Sequence, residues 1–421
     1  GKPQRLADYL PWAALIAPGV LLNKDGSFQR TFRFRGPDLE SATEPELVAT
    51  CARLNNVLRR FGSGWALFFE AERHPAPSYP ASEFPDPASW LVDRERRAAF
   101  EQTMGAHDGE SAYRGRAHFE SSYHLTLLYL PPPDQVNRAE RALLETPPDE
   151  RGIDYRDPLE AFVAETDRAL DLLSSLMPVC APLDDAETLT YLHGTVSTRQ
   201  HPVAVPETPM YLDAVLADTP LAGGLEPMLG EHHLRTVTVL GFPNTTRPGL
   251  LDDLNHLGFP YRWVTRFIPL DKTAANSALT RMRRQWFAKR KSIGVLLREV
   301  LYNEPAPLLD SDADNKAVDA DAALQELGGD HVSFGYLTAT VTVWDESRAQ
   351  AAEKVRAVER VINARGFTTI RETVNAVEAW LGSLPGHVYA NVRQPLVHTL
   401  NLAHLVPLSA VWAGPAWNDH L

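Results

Sequence analysis

Segments typical of strands and helices follow one another in the same order twice along this sequence, and that order constrains the fold more than any other feature. Alternating or continuous apolar runs predict strands, whereas apolar residues spaced three or four apart predict helices. The predicted segments of the first half are a hairpin at Leu21–Gly36, helices at Glu44–Phe61 and Leu159–Met177, and strands at Trp65–Glu70, Tyr123–Leu130 and Leu189–Val196. The order is therefore strand, helix, strand, strand, helix, strand.

The second half repeats this order, with one long helix inserted before its third strand. Its predicted segments are strands at Leu234–Phe242, Tyr261–Ile268, Val332–Trp344 and Phe367–Ile370, and helices at Leu250–Leu257, Lys272–Asn303 and Ser347–Arg365. This order is typical of the ferredoxin-like, split-βαβ fold, and 421 residues exceed what one hydrophobic core usually supports. The sequence predicts an α+β protein with two ferredoxin-like (β-α-β-β-α-β) lobes, residues 1–200 and 201–421, the second carrying the long inserted helix.

The charge balance restricts the classes of partner. The chain carries 41 Lys and Arg against 54 Asp and Glu, a net charge of -13. A protein that coats nucleic acid needs a basic surface to displace counterions from phosphates, so the total argues against that class. Cys51 and Cys180 are too few for a disulfide framework, which indicates a reducing, cytoplasmic compartment.

The inserted helix, Lys272–Asn303, is the most basic stretch of this acidic chain. At ~1.5 Å per residue it would be roughly 45 Å long. The candidate interaction residues on this basic arm are Arg281, Arg283, Arg284, Trp286, Lys289, Arg290 and Lys291. One interpretation is a strut with an apolar core face, whose arginines contact acidic protein surface or another domain. The alternative is a path for single-stranded DNA along residues 279–298, with phosphate contacts and aromatic stacking. The acidic total favours the first.

Motifs for nucleotide binding or nucleophilic catalysis are absent from the 421 residues. A P-loop, G-x-x-x-x-G-K-[ST], would hold phosphates on backbone amides at a helix start, and neither it nor G-x-G-x-x-G nor G-x-S-x-G occurs. The acidic run Asp310–Asp321 resembles a calcium loop, but Asn315 stands where the turn needs glycine and Asp321 where a glutamate is needed. We therefore expect a solvated acidic loop there, and neither cofactor nor catalysis in this chain.

The histidines give no clear metal site. His232 and His233 are neighbours at the start of a predicted strand, so their side chains point to opposite faces. Asp252 and His256 are one helical turn apart, but no third ligand is in view, so an ion pair or an exposed pair is the simpler interpretation. The sequence predicts no bound metal.

The apolar N-terminal segment is a candidate contact surface. Its core, Leu10–Leu22, contains two prolines and a glycine and is shorter than the roughly 20 apolar residues of a spanning helix. Within Leu6–Leu22, the side chains of Trp12, Leu15 and Ile16 are candidates for contact with a membrane surface or a partner protein. Burial of the same side chains against the first sheet is the alternative.

Several ordered blocks together resemble a known family. They are W-F-A-K-R (Trp286–Arg290), F-G-Y-L-T-A-T-V-T-V-W-D (Phe334–Asp345), the stretch from R-G-F to L-P-G (Arg365–Gly386), N-L-A-H-L-V-P-L-S-A-V-W-A-G (Asn401–Gly414), and the N-terminal run Leu10–Leu39. The chain is similar over nearly its whole length to the CagE/TrbE/VirB-type ATPases of type IV secretion and conjugal transfer systems. No single block is a catalytic signature.

The resemblance implies more than the residues do. In that family the nucleotide-binding motifs lie in a C-terminal RecA-like motor domain, so this chain looks like the N-terminal, non-catalytic region, with ATP and Mg belonging to the motor. The resemblance implies a position in the cytoplasm, peripheral to the bacterial inner membrane. It also implies contacts with inner-membrane secretion proteins and the motor domain, and oligomerisation of the full-length protein. A docking and coupling role is the expectation, and DNA guiding is the alternative.

Overall fold

The structure is a computed structural model that describes residues 5–76, 86–105, 119–132, 156–208, 210–243, 245–281, 284, 325, 331–390, 393 and 395–408. Its strands are β1 (Trp12–Ala17), β2 (Val20–Asn23), β3 (Phe28–Arg35), β4 (Trp65–Pro75), β5 (Phe119–Tyr129), β6 (Val179–Pro182), β7 (Leu221–Ala222), β8 (Met228–Leu229), β9 (His232–Gly241), β10 (Tyr261–Pro269), β11 (Phe334–Asp345), β12 (Thr368–Arg371) and β13 (Leu396–His398).

The helices lie between these strands. They are α1 (Leu6–Tyr9), α2 (Glu44–Leu58), α3 (Pro87–Gly105), α4 (Arg156–Ser174), α5 (Asp185–Val196), α6 (Leu212–Leu216), α7 (Arg348–Asn363), α8 (Ala376–Gly382) and α9 (Thr399–Leu405), with a 3₁₀ helix at Asp252–His256. Segregated strands and helices of this kind confirm the predicted α+β class. The predicted strands and helices are present at nearly all of the predicted places.

The described strands form one 13-stranded sheet that spans both halves of the chain. In the first half the strands lie in the order β6-β3-β5-β4, and in the second half in the order β12-β9-β11-β10. Numbered along each half, both orders are 4-1-3-2, and all of these pairs are antiparallel. The halves join where β4 pairs antiparallel with β10, from Arg73 opposite Tyr261 to Leu67 opposite Phe267. The predicted boundary at residue 200 stays a prediction.

Alternation along the strands gives the sheet two different faces. The apolar face carries a hydrophobic core that both halves share, with Phe69 and Leu125 from the first and Trp263 and Val341 from the second. Helices α2, α4, α7 and α9 pack on this face. The opposite face is rich in threonine and charged residues, and the N-terminal segment, α5, α6 and α8 form a second core beside it.

One predicted strand was wrong. Leu189–Val196 was expected to be the last strand of the first half, but it belongs to helix α5, and Val179–Pro182 supplies the strand. The carboxylate of Asp184 accepts a hydrogen bond from the Glu187 amide at 2.8 Å, and the Glu187 carboxylate accepts one from the Asp184 amide. This capping box begins the helix. Because α5 is buried on several sides, its apolar residues lack the periodicity that identifies an amphipathic helix.

The predicted hairpin at Leu21–Gly36 is confirmed. β2 and β3 pair antiparallel, and Gly26 between them has a φ of +85°, which glycine adopts without strain. The basic arm begins as predicted, because residues 272–281 and 284 are helical, and its remainder lies outside the described residues. Among the described residues, no helix combines the length and apolar character needed to cross a membrane.

We expect Asp184→Ala to lower the free energy of unfolding by about 1 kcal/mol, because the cap of α5 loses its acceptor. Urea unfolding followed by circular dichroism measures this difference. The matched control is Glu160→Ala, which removes an exposed carboxylate from the body of α4 and should change stability by less than ~0.5 kcal/mol. Equal losses in the two variants would contradict the capping role.

Candidate functional site

Two oppositely charged side chains meet inside the sheet where the two halves join. Glu70 of β4 and Arg262 of β10 have side chains that are only 1% and 4% exposed. Arg262 Nε donates to Glu70 Oε1 at 2.5 Å, and Arg262 Nη2 donates to the carbonyl oxygen of Ser383 at 3.1 Å. Burial acts to lower the pKa of Arg262, but the charge of Glu70 outweighs it and raises that pKa. The guanidinium therefore stays charged.

Helix α5 completes this cluster. The hydroxyl of Tyr191 donates to Glu70 Oε2, and the ring of Tyr191 stacks on His124 of β5 with centroids 4.0 Å apart. Burial, then the charge of Glu70, raises the pKa of Tyr191 well above its usual value, so the hydroxyl remains a donor. Burial lowers the pKa of His124 to about 4, which leaves this ring neutral at pH 7. Glu70 is thus held by one cation and one neutral donor.

A second buried arginine holds the loop that follows α8, the 383–390 loop. Arg266 of β10 donates through Nη1 to the carbonyl oxygens of His387 at 2.7 Å and Ala390 at 3.2 Å. Burial lowers the pKa of Arg266 to about 10, so the side chain is still charged at pH 7. Its Nε and Nη2 are buried without hydrogen-bond partners among the described residues. The two arginines of β10 therefore fix the loop at both ends.

The N-terminal strands contact the same loop from the other side. Trp12 Nε1 donates to the carbonyl oxygen of Pro385 at 2.7 Å, and Gln29 Nε2 donates to the same oxygen at 3.4 Å. Gly386 has a φ of +90°, and a Cβ there would lie 2.0 Å from Gln29 Oε1. Only glycine fits this approach. The 383–390 loop thus connects β1 and β3 of the first half with β10 of the second.

This arrangement is suited to joining regions of the molecule rather than to catalysis. Its charged and polar groups are buried between strands, α5 and the loop, where they bond to one another. Two clefts of the described surface lie elsewhere. One lies between α2 and α4, and the other, about 360 Å³ in volume, lies at the base of the basic arm and is lined by Arg59, Arg60, Asp271 and Lys272. We call Glu70, Arg262, Arg266, Tyr191 and the 383–390 loop the junction cluster.

The predicted site residues fall in different places. Arg281 and Arg284 are exposed at the start of the arm. The other predicted arm residues, Arg283, Trp286, Lys289, Arg290 and Lys291, lie outside the described residues. Their role stays a prediction.

The N-terminal candidates divide between the two interpretations. Trp12 is fully buried and belongs to the junction, which supports the alternative of burial for this residue. Leu15 and Ile16 are half-buried, and contact through them stays a prediction.

The sequence analysis missed the junction cluster, although one signal was present. Glu70 and Glu72 alternate with apolar residues in β4, as Arg262 and Arg266 flank apolar residues in β10. Charged residues placed two or four apart on a strand lie on one face. Complementary charges inside two otherwise apolar strands therefore indicated a buried pairing.

The other reactive or metal-binding candidates have ordinary surroundings. Burial, then the charges of Glu40 and Asp253, raises the pKa of Asp252 to about 7. His256 faces Glu40, with Nε2 3.9 Å from Oε1, so the predicted pair of Asp252 and His256 is not the contact that forms. The predicted acidic loop at 310–321 lies outside the described residues.

Neither thiol is activated. Burial, followed by the charge of Asp252, raises the pKa of Cys51 to about 11, and burial raises that of Cys180 to about 11. Both remain protonated at neutral pH, which fits the absence of a predicted redox role. One group of three side chains among the described residues, His193, His201 and Asp218, has ligand atoms close enough together for a metal ion.

Two family models match this chain. The model of the type IV secretion system ATPase VirB4/TrbE N-terminal domain matches residues 19–137. The model of the CagE, TrbE, VirB family, a component of the type IV transporter system, matches residues 308–393. The first match contains β3, β4 and β5, and the second contains β11, α7 and the 383–390 loop.

Individual relatives agree with these models. The chain is 34% identical over 427 residues to the conjugal transfer protein TrbE of Rhizobium radiobacter, an alignment that covers 97% of this chain and 50% of that protein. It is 41% identical over 128 residues to a probable conjugal transfer protein TrbE of Sinorhizobium fredii, covering 30% of this chain and 78% of that protein. It is 23% identical over 300 residues to the type IV secretion system protein virB4 of Brucella melitensis, covering 66% of this chain and 34% of that protein. The chain thus spans about half the length of the Rhizobium radiobacter protein.

Breaking the buried ion pair should be strongly destabilising. We expect Glu70→Gln to lower the free energy of unfolding by ~3–5 kcal/mol, because Arg262 is left as an uncompensated buried charge. Chemical denaturation gives the value. The matched control, Glu165→Gln, removes one partner of the exposed Arg168–Glu165 pair and should change stability by no more than ~0.5 kcal/mol.

A second substitution makes this prediction sharper. Adding Arg262→Met to Glu70→Gln removes the unpaired charge, so the double variant should recover some of the loss. If the two losses simply add, Glu70 and Arg262 do not act as a pair.

The neutral His124 should make the fold sensitive to acid. Its pKa is about 4 in the folded chain and ~6.5 in an unfolded chain. Between these values the unfolded state binds a proton that the folded state does not, so stability falls as pH falls from ~6.5 towards ~4. We expect His124→Gln to reduce the stability lost between pH 7 and pH 5 by about 1–2 kcal/mol. The control is His256→Gln, at a side chain that is 70% exposed. An unchanged pH profile of unfolding in the His124 variant would contradict this assignment.

Proposed function

The chain belongs to the TrbE/VirB4 family of type IV secretion ATPases, and from this membership we propose that it docks the ATPase to the secretion complex and couples the motor's conformational changes to that complex. The shared sheet supports this proposal most directly. Because β4 and β10 are hydrogen-bonded along seven residue pairs, the halves meet as neighbouring strands of one sheet. A displacement of one half would therefore act directly on the other.

The architecture behind this role is, in our proposal, a duplicated ferredoxin-like unit. The common strand order 4-1-3-2 and the helix that follows the first strand of each half support it. Under this proposal the arm is the insertion between the second and third strands of the second lobe. Two lobes joined by equivalent strands offer two similar outer surfaces, one for the complex and one for the motor.

The motor itself is assigned to a different region of the full-length protein. The 421 residues contain no P-loop, so we place ATP and Mg²⁺ in a motor domain outside them. We expect no hydrolysis of nucleotide by this chain alone. A phosphate-release assay on the purified chain, with the full-length protein as the positive control, tests this, and turnover by the chain would refute it.

The docking surface is proposed at the N-terminal edge of the sheet. β1 is the outermost strand on this side, and its half-buried residues Leu15 and Ile16 are available for contact. In our proposal this edge meets inner-membrane secretion proteins, which places the chain in the cytoplasm, peripheral to the inner membrane. Oligomerisation of the full-length protein belongs to the same proposal.

Single-stranded DNA guiding is the second candidate function. The exposed Arg281 and Arg284 at the base of the arm, beside a cleft lined by Arg59, Arg60 and Lys272, favour it. Fluorescence anisotropy with an oligonucleotide at increasing salt tests this idea. Salt-sensitive binding that is lost on charge reversal of Arg283, Arg284, Lys289 and Arg290 would support it, whereas unchanged binding would exclude it.

We expect the isolated chain to be retained by at least one inner-membrane secretion protein that also binds the full-length ATPase. Leu15→Glu combined with Ile16→Glu should weaken this binding about tenfold or more, since each charge would have to be desolvated at the contact. Val48→Glu, at a side chain that is 59% exposed on α2, is the control. Docking through this chain is wrong if it binds none of the components that the full-length protein binds.

A further inference from the structure

The segment that connects the two halves is held against helix α5 by a group of ionisable side chains. His193 lies in the last turn of α5, His201 follows the helix, and Asp218 follows α6. The ligand-type atoms of these three residues all lie within 4.8 Å of one another. The rings of His193 and His201 are tilted by 40° with centroids 4.5 Å apart. Residues far apart in the sequence thus converge on one point.

The environment of His201 leaves an electron pair facing this point. His201 Nδ1 lies 3.1 Å from the carbonyl oxygen of Pro202. Because a carbonyl oxygen only accepts, Nδ1 carries the proton of the neutral ring, and Nε2 carries the lone pair. Nε2 lies 3.9 Å from Asp218 Oδ2. A lone pair and a carboxylate oxygen that face each other at this distance suit a bound cation.

Asp218 is oriented for the same purpose. Its Oδ1 accepts hydrogen bonds from Ser197 Oγ at 2.7 Å and from Thr219 Oγ1 at 2.9 Å. These bonds fix the carboxylate and leave Oδ2 directed at the two histidines. A carbonyl behind one ligand and hydroxyls behind another are the supporting contacts typical of metal sites in proteins.

We propose that His193 Nε2, His201 Nε2 and Asp218 Oδ2 bind one zinc ion, with water as the fourth ligand. Two imidazoles and a carboxylate are a donor set that zinc accepts, and tetrahedral ligand atoms stand about 3.3 Å apart at zinc distances. In the structure His193 Nε2 is 2.6 Å from Asp218 Oδ2, so the ion replaces the proton between them and this pair opens by less than ~1 Å. His201, whose side chain is 52% exposed, closes by a similar amount and leaves the fourth position to solvent.

One feature limits the expected affinity. His193 Nδ1 is buried without a hydrogen-bond partner among the described residues. In the zinc-bound ring this nitrogen carries the proton, and an unpaired buried donor is unfavourable. We therefore expect a dissociation constant of roughly 1–10 μM rather than a nanomolar one.

The ion would close the segment from residue 197 to 219 onto α5. This segment connects the first half of the sheet to the second, and α5 also carries Tyr191 of the junction cluster. Zinc would thus hold the connector beside the contact that joins the two halves. Zinc affinity does not depend on the docking role, so either proposal can fail without the other.

The test is a zinc titration of the untagged 421-residue chain against a chromophoric chelator, with thermal unfolding as a second measurement. We expect one zinc ion per chain and a rise in Tm on zinc addition. His201→Ala and Asp218→Asn should each weaken binding at least about tenfold, and Thr219→Val about 10-fold through the loss of its supporting bond. His193 is left unchanged because it is buried and its loss would disturb folding.

The control is His232→Ala. His232 also lies beside a carboxylate, 3.9 Å from Glu346, but without the third ligand among the residues that the structure describes. This variant should bind zinc as the parent does. The proposal is refuted if the parent binds zinc no more tightly than about 100 μM, or if folded His201→Ala and Asp218→Asn bind it as well as the parent. Circular dichroism establishes that each variant is folded.

Discussion

The antiparallel pairing of β4 with β10 is the contact on which the rest of the structure depends. It makes one sheet of two halves and places Glu70 and Arg262 side by side in the interior. Two charges removed from water must be matched in geometry and in hydrogen bonds, or the desolvation penalty exceeds their attraction. The hydroxyl of Tyr191 and the carbonyl of Ser383 supply those bonds. Neither half offers this match alone, so the cluster selects one register between them.

The 383–390 loop extends this dependence to the N-terminal segment. Its carbonyl groups receive hydrogen bonds from Arg266 of the second half and from Trp12 and Gln29 of the first. Close approach requires small residues, since a Cβ at Gly382 would lie 2.2 Å from the carbonyl oxygen of Ala390. The resemblance block that contains L-G-S-L-P-G therefore has a physical role in joining the halves.

The sequence predicted the elements better than their assembly. Strands such as Tyr261–Pro269 and helices such as Arg348–Asn363 show strong periodicity, and both were found. α5 was mistaken for a strand because burial on several sides removed its helical period, although Asp184 and Glu187 gave the capping signal. The single sheet was not predictable from pattern, because β4 and β10 are far apart in the sequence and their pairing depends on shape and charge. His193, His201 and Asp218 were missed for the same reason, since their spacing fits no short metal motif.

The position of the basic arm gives the junction its mechanical meaning. The arm leaves the sheet directly after β10 and the chain returns as β11, the strand paired with β10. β10 carries both Arg262 and Arg266, so a load applied to the arm acts first on the strand that holds the ion pair and the 383–390 loop. Strands hydrogen-bonded along their length resist sliding, because every ladder bond must break at once for the register to change. Force on the arm would therefore pass through β10 into β4 and the first half, and the buried charges would hold the register while it does so.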